Sequence, residues 1–237
     1  MLFGSTTSRA PGGEAFMRAL GATPAQAVYT NQLNIDEVNW KALADWLALG
    51  SSLEREFEMV LVEGAMPEDQ LEAIVALMEV MNTAPRDDLA MEDSPMTPER
   101  LRELEAYERA ANWERWTMYV RHRESGRLAG YTEVLYRPGL PYELNQGDTG
   151  VFPEFRNRGL GKWLKASMLD KVLRERPLVR FIRTGNAQSN APMLRINNEL
   201  GFKPYLSRMN WQVPLDKVEA WLASRPASPS VTPPGGV

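Results

Sequence analysis

The sequence predicts a mixed α/β fold, a mostly antiparallel central sheet flanked by helices. Three observations carry this expectation. The element order is strand, two helices, three strands, helix, strand, helix, strand; a tight hairpin is signalled at Glu124-Ser125-Gly126; and a strand, a glycine turn and a helix follow one another around Gly159. Antiparallel neighbours can be joined by short turns, whereas a parallel neighbour needs a helical crossover, so the two signals together describe a mixed sheet.

Residues 56–62 alternate and then turn apolar, which reads as a strand closed by Gly64. Pro67 opens a helix in which Leu71, Ile74, Val75 and Met78 recur at i, i+3, i+4 and i+7, with Glu68 and Asp69 where the helix dipole favours acids. That helix ends before Pro85. A polar stretch over 86–95 leads to Thr97-Pro98, a capping residue followed by a first-turn proline, and a second helix runs to about Ala111. Residues 116–123 and 127–136 are the two β-rich arms of the hairpin. A loop over 137–147, containing Pro138, Gly139 and Pro141, precedes a strand over 148–152, the glycine turn, and a helix over 160–174 with Leu164, Met168 and Val172 on one face. Residues 178–182 read as an apolar strand, 190–200 as a helix and 205–213 as a last strand. The Pro-, Ser- and Gly-rich segment 226–237 reads as a disordered tail.

Composition narrows the chemistry. With 27 Lys and Arg against 31 Asp and Glu, the net charge is −4, which offers no general attraction to nucleic acid. No apolar run approaches the length of a membrane span, and residues 1–13 lack the features of a secretion signal, so a cytoplasmic location and no membrane partner are expected. There is no cysteine, which removes disulfides, thiolate metal ligands and cysteine nucleophiles. The single histidine, His122, stands between two arginines and reads as a solvated strand end, leaving neither a histidine metal site nor a catalytic triad in prospect. Acid–base chemistry must then come from carboxylates, Tyr, Lys or water.

The most informative stretch is Val151-Phe152-Pro153-Glu154-Phe155-Arg156-Asn157-Arg158-Gly159-Leu160-Gly161-Lys162. Its glycines allow a tight bend and close approach to a ligand, and the free N–H groups of the following helix suit an anion. A Walker loop would need Ser or Thr where Trp163 stands, and a dinucleotide fingerprint would need Gly where Leu164 stands. The pattern Val-x-Pro followed by Arg-x-x-Gly-x-Gly resembles the acetyl-CoA pyrophosphate loop of the GNAT superfamily of N-acetyltransferases. Downstream, the run from Asn190 to Phe202 resembles the last helix of that family and its Leu-Gly-Phe ending, with Asn190 at the asparagine that addresses the pantetheine arm.

The resemblance implies acetyl-CoA as co-substrate, no metal, and a primary amine as acceptor, with Val151, Phe152, Arg156, Asn157, Arg158, Gly159, Leu160, Gly161, Lys162 and Asn190 around the cofactor. It also implies a splay between the strands at 148–152 and 178–184, where the Val151 amide holds the thioester oxygen during direct attack by the amine. Many family members carry Tyr, the usual acid for the leaving thiolate, where this chain has Asn197. For the base, Glu133 is the one charge between Leu128 and Tyr136, and Asp148 at the start of the cofactor strand is its rival; either could instead pair with an arginine. Glu133, Asn186 and Tyr142 are the candidate acceptor contacts. Arg156, Arg158, Lys162 and Lys165 form a basic cluster suited to phosphates, and Tyr131, Tyr136, Tyr142, Trp113 and Trp116 are aromatic candidates for the acceptor cleft or the core. A small-molecule amine is the leading acceptor; a protein amine, or a CoA-binding domain without catalysis, is the alternative.

A shift of 180 positions aligns Leu20-Gly21 with Leu200-Gly201, Pro24 with Pro204, Gln32 with Gln212, Asp36 with Asp216 and Val38 with Val218. Residues 1–50 therefore read as the closing helix, strand and helix of a first repeat and 51–225 as a complete domain, as in the C-terminal half of tandem GNAT proteins of the mycothiol synthase type. An exposed strand near Ala27 to Ile35 should pair with the last strand, within one chain or across a homodimer.

Overall fold

The computed structural model describes residues 1–93 and 95–224, so the tail expected over 226–237 lies outside the described residues. The elements are β1 (Leu2–Thr7), α1 (Pro11–Ala19), β2 (Thr23–Asn34), α2 (Trp40–Ala48), α3 (Gly50–Leu53), β3 (Phe57–Glu63), α4 (Leu71–Met78), α5 (Pro98–Ala110), β4 (Glu114–His122), β5 (Leu128–Tyr136), β6 (Glu143–Val151), α6 (Leu160–Glu175), β7 (Phe181–Ala187), α7 (Ala191–Leu200), β8 (Lys203–Val213) and α8 (Leu215–Ala223). Among the described residues, all 8 strands join one sheet in the order β1-β8-β2-β7-β6-β5-β4-β3. Every pair is antiparallel except β6 with β7, which is the mixed sheet expected. Among the described residues, no helix is long and apolar enough to cross a membrane.

Local chemistry explains the helix ends. Thr97 Oγ1 accepts the Arg100 N–H at 3.2 Å ahead of Pro98 and starts α5, and Asn190 Oδ1 accepts the Met193 N–H at 3.3 Å and starts α7. α7 stops at Gly201, φ +111°, where a Cβ would lie 2.7 Å from the Glu37 carbonyl oxygen. One sheet face packs Leu164, Met168 and Val172 of α6 against Trp116, Val134, Leu144 and Ile182. The other packs Leu71, Ile74, Leu77 and Leu101 of α4 and α5 against Tyr119 and Tyr131.

Two boundaries differ from the sequence expectation. β6 begins at Glu143, inside the expected loop 137–147, because Leu144 is its only wholly buried residue and its pairing, not its composition, makes it a strand. β7 begins at Phe181 and runs through polar Arg183, Thr184 and Asn186, while Leu178 is exposed in the turn after α6. An apolar run marked the wrong end of that strand.

Residues 1–48 are built into the sheet. β2 lies between β7 and β8, with Leu33 facing Ile182 and Ala27 facing Met209. The pairing with the last strand is therefore present within one chain, but β2 is interior and β1 forms the edge. Val38, Leu43 and Trp46 in and before α2 are buried in the same core as α6. The register also repeats. Advancing Leu2 and taking Val213 back by 180 positions turns one pair into another, Ile182 with Leu33, and Thr7 with Arg208 becomes Ala187 with Val28 in the same way. Val28 faces Arg208, its own counterpart, so β1-α1-β2-α2 and β7-α7-β8-α8 are related by an internal two-fold axis at that pair. The repeat thus includes the strand β1, which the sequence reading did not contain.

Candidate active site

The site forms where β6 and β7 separate. They pair at Glu143 with Phe181, Leu144 with Ile182 and Asn145 with Arg183, and no further. Beyond that point the Phe152 N–H bonds the Ala129 carbonyl of β5 at 2.9 Å, so the Val151 N–H, one residue back along an extended strand, points to the opposite edge and into the opening. The Val151 carbonyl on that edge accepts Arg156 Nε at 2.9 Å, and Arg156 also reaches Thr83 Oγ1 at 2.7 Å. These two contacts bend the chain back after Phe152. Asn157 at φ +61° and Gly159 at φ +89° complete the turn in left-handed conformations.

α6 then begins with no side-chain cap, so its first N–H groups face a cleft of about 870 Å³. Val151, Arg156, Asn157, Arg158, Gly159, Leu160, Gly161, Lys162 and Asn190 all line it. A Cβ at Gly161 would come no closer to protein than 3.8 Å, from Ile196 Cδ1, so the bare backbone is turned to open space. The residues present fit a pyrophosphate at the helix start and a thioester beside Val151.

Two corrections follow within the expected set. Phe152 does not line the cleft; it packs against both core clusters. Lys165 is buried under α6 against the Phe202 ring, 5.5 Å from its centroid, where burial lowers its pKa to about 7. It belongs to the core and not to a phosphate-binding cluster. Of the remaining cations, Arg158 pairs with Glu56 and Lys162 with Glu199. Arg195 of α7 also lines the cleft and was missed, because nothing in its neighbourhood marks it except its place one turn beyond the cap Asn190.

The acidic candidates lie on the α4 and α5 side of the same opening. Arg115 of β4 is clamped between Glu108 of α5 and Glu133 of β5, all three buried. Burial raises the pKa of Glu133; Arg115 opposes the rise and the charge of Asp148 adds to it. Asp148 has an exposed edge, yet enough protein rings its carboxyl to raise its pKa too, against the Tyr131 hydroxyl, which donates to it at 3.2 Å, and Arg115. Tyr131, Tyr136 and Trp116 are core residues, Trp113 meets Tyr107 edge to face, and Tyr142 lies exposed under Arg180 at the other end of β6 from the cleft. Asn186 accepts Asn197 Nδ2 at 2.8 Å on the α7 side. Glu133 and Asp148 are therefore brought together, and Tyr142 and Asn186 are not joined to them.

The Arg115 cluster carries a stability prediction. Arg115→Ala is expected to cost about 3–5 kcal/mol, the usual result of breaking a buried ion pair from one side. Because the folded pKa of Glu133 is raised, its contribution to stability is full below the unfolded-state carboxyl pKa and is lost as pH rises through the folded value. Removing Arg115 strengthens that raise, so the deficit should widen between about pH 4 and about pH 7. Urea midpoints at the two pH values check this, and an equal deficit at both would contradict it.

No protein-family model and no curated protein sequence matches the chain, but solved structures do. A tandem GNAT protein from the clavulanic acid biosynthesis pathway matches at 27% identity and a TM-score of 0.72, over 89% of this chain and 62% of its own. The chain has the GNAT fold. A GCN5-related N-acetyltransferase from Sphaerobacter thermophilus matches at 16% identity and a TM-score of 0.59, over 88% of this chain and 58% of its own, and one from Kribbella flavida at 15% and 0.52, over 90% and 68%. This chain thus spans about six tenths of the length of the first two. At such identities the latter pair speaks for the fold alone. In this sheet the β2 strand from the N-terminal segment lies between β7 and β8.

Proposed function

We propose that this GNAT domain is a cytoplasmic N-acetyltransferase that moves the acetyl group of acetyl-CoA to a primary amine of a small molecule by direct attack. The observation that carries the reading is the single cleft in which the uncapped start of α6, the bare Gly161 and the inward Val151 N–H meet. Acetyl-CoA would supply an acetyl group already activated as a thioester. The α6 amides hold its pyrophosphate, Asn190 borders its arm, and the Val151 N–H stabilises the carbonyl oxygen as charge develops there. Asp148, the more accessible of the two carboxylates and, like Glu133, one whose pKa burial raises, takes the proton of the incoming amine, with Glu133 behind it. Asn197 offers no acidic proton, so this chain would release the thiol sulfur unprotonated from that position, as an alkyl thiol with a pKa near that of cysteine, about 8.5, allows. A small acceptor is favoured because the segment after α4 closes over β2 and β8: the Asp88 N–H bonds the Ala25 carbonyl at 3.1 Å, and Gln212 is held by Asp88 and Ala90. We also read residues 1–50 as the closing part of a first repeat.

A second reading, a CoA-binding domain without catalysis, draws on Asn197, which is wholly buried with Oδ1 lacking a partner among the described residues. Thiol release from acetyl-CoA with a panel of amines separates the two: CoA binding without release for any amine would leave the second. Within the first reading, Asp148→Asn should lower kcat by at least about tenfold and flatten the rise of rate with pH, leaving CoA affinity unchanged. If instead Glu133→Gln alone has this effect, Glu133 is the base.

A further inference from the structure

The opening between β6 and β7 has a second lip. Two residues past the last paired position on each strand stands a glycine, Gly147 on β6 and Gly185 on β7. A Cβ at Gly147 would lie 2.8 Å from Glu133 Oε1, and a Cβ at Gly185 would lie 3.3 Å from a guanidinium nitrogen of Arg208. Each missing side chain thus makes room for a charged group, a carboxylate over one lip and a guanidinium over the other.

Both groups lie on the same sheet face. Ile182 and Asn186 of β7 turn to α6 and α7, so Arg183, Gly185 and Ala187 face the opposite side. Arg208 shares a row with Val28 and Ala187, which puts its side chain on that side as well. Glu133 points there too, since it pairs with Arg115 beside α5. The neighbouring cations are occupied: Arg183 is bound by Glu143 and Gln32, and Arg9 stacks on Tyr205. Arg208 is exposed and forms no ion pair among the described residues.

We infer that Arg208 binds a carboxylate carried by the acceptor itself, so that the acceptor is an amino acid or a close analogue, its amine toward Asp148 and its carboxylate toward β8. This rests on the acetyl-transfer reading above and extends it to the acceptor class. One free guanidinium matches one carboxylate, which it can take with two parallel hydrogen bonds. The acidic lip draws the amine and the basic lip the anion, which orients the molecule across the opening. Simple alkylamines lack the second contact.

The test uses the full chain saturated with CoA, titrated calorimetrically with straight-chain amino acids from glycine to δ-aminovaleric acid and with the corresponding amides. At least one acid should bind ten times or more tighter than its amide and be acetylated faster. Arg208→Ala should erase that preference, Arg208→Lys should keep part of it, and neither should change CoA affinity or melting temperature. Equal binding of acid and amide, an unaffected Arg208→Ala protein, or no binding of any acid by a protein that holds CoA would overturn the inference. Failure to bind CoA would refute the acetyl-transfer reading, and the inference would fall with it.

Discussion

A chain lacking residues 1–48 is expected to be insoluble or unfolded. The expectation comes from position, since β2 lies inside the sheet and bonds along Val28–Asn34 to β7 and along Thr23–Gln32 to β8. Its removal leaves two facing strand edges without partners, and unpaired backbone groups in a sheet interior either cost their hydrogen bonds or recruit another chain. It also empties the core of Leu33, Val38, Leu43 and Trp46, all packed with α6. Each such loss is worth about 2–5 kcal/mol, against a total stability of about 5–15 kcal/mol for a typical domain. Size-exclusion chromatography and circular dichroism of the truncated chain check this. A soluble, cooperatively melting product would mean that β7 and β8 can close directly on each other.

Gly161→Val should leave the protein folded and lower CoA affinity at least about a hundredfold. The fold is spared because the new Cβ meets only Ile196 and Val151, at 3.8 and 3.9 Å, which is ordinary contact. Valine is also no worse than glycine inside a helix. The loss falls on the ligand, because the side chain enters the space through which the α6 amides reach an anion. Gly159→Val, by contrast, would strain the backbone at φ +89° and press on Leu49, mixing fold and binding effects. Calorimetry with CoA alongside a melting curve reads both quantities, and unchanged affinity in a folded Gly161→Val protein would remove the cofactor assignment.

The turn that lines the cleft was legible in the sequence, and the charged groups on the opposite sheet face were not. The turn from Val151 to Lys162 is contiguous, and its requirements are local: a bend at Gly159, a bare Cα at Gly161 and an uncapped helix start. The caps at Thr97 and Asn190, the hairpin and the fold class are likewise short-range, since each depends on residues a few positions apart. Strand order is a different kind of fact. That β2 enters between β7 and β8, that β6 starts early, and that β7 is polar were decided by pairing between residues far apart in the chain, for which polar strands carry no periodic signal. Burial and charge pairing followed the same rule. Lys165 read as a phosphate ligand until packing against Phe202 enclosed it, and Glu133 was partnered with Arg115 by the β4 to β5 register. Arg208 acquired its place over Gly185 because the strand between them came from the other end of the chain. The sequence by itself determined the segments and their local chemistry, because those depend on neighbours along the backbone; which charges meet across the opening was left to the tertiary structure, because only the assembled sheet sets the distances on which their interaction depends.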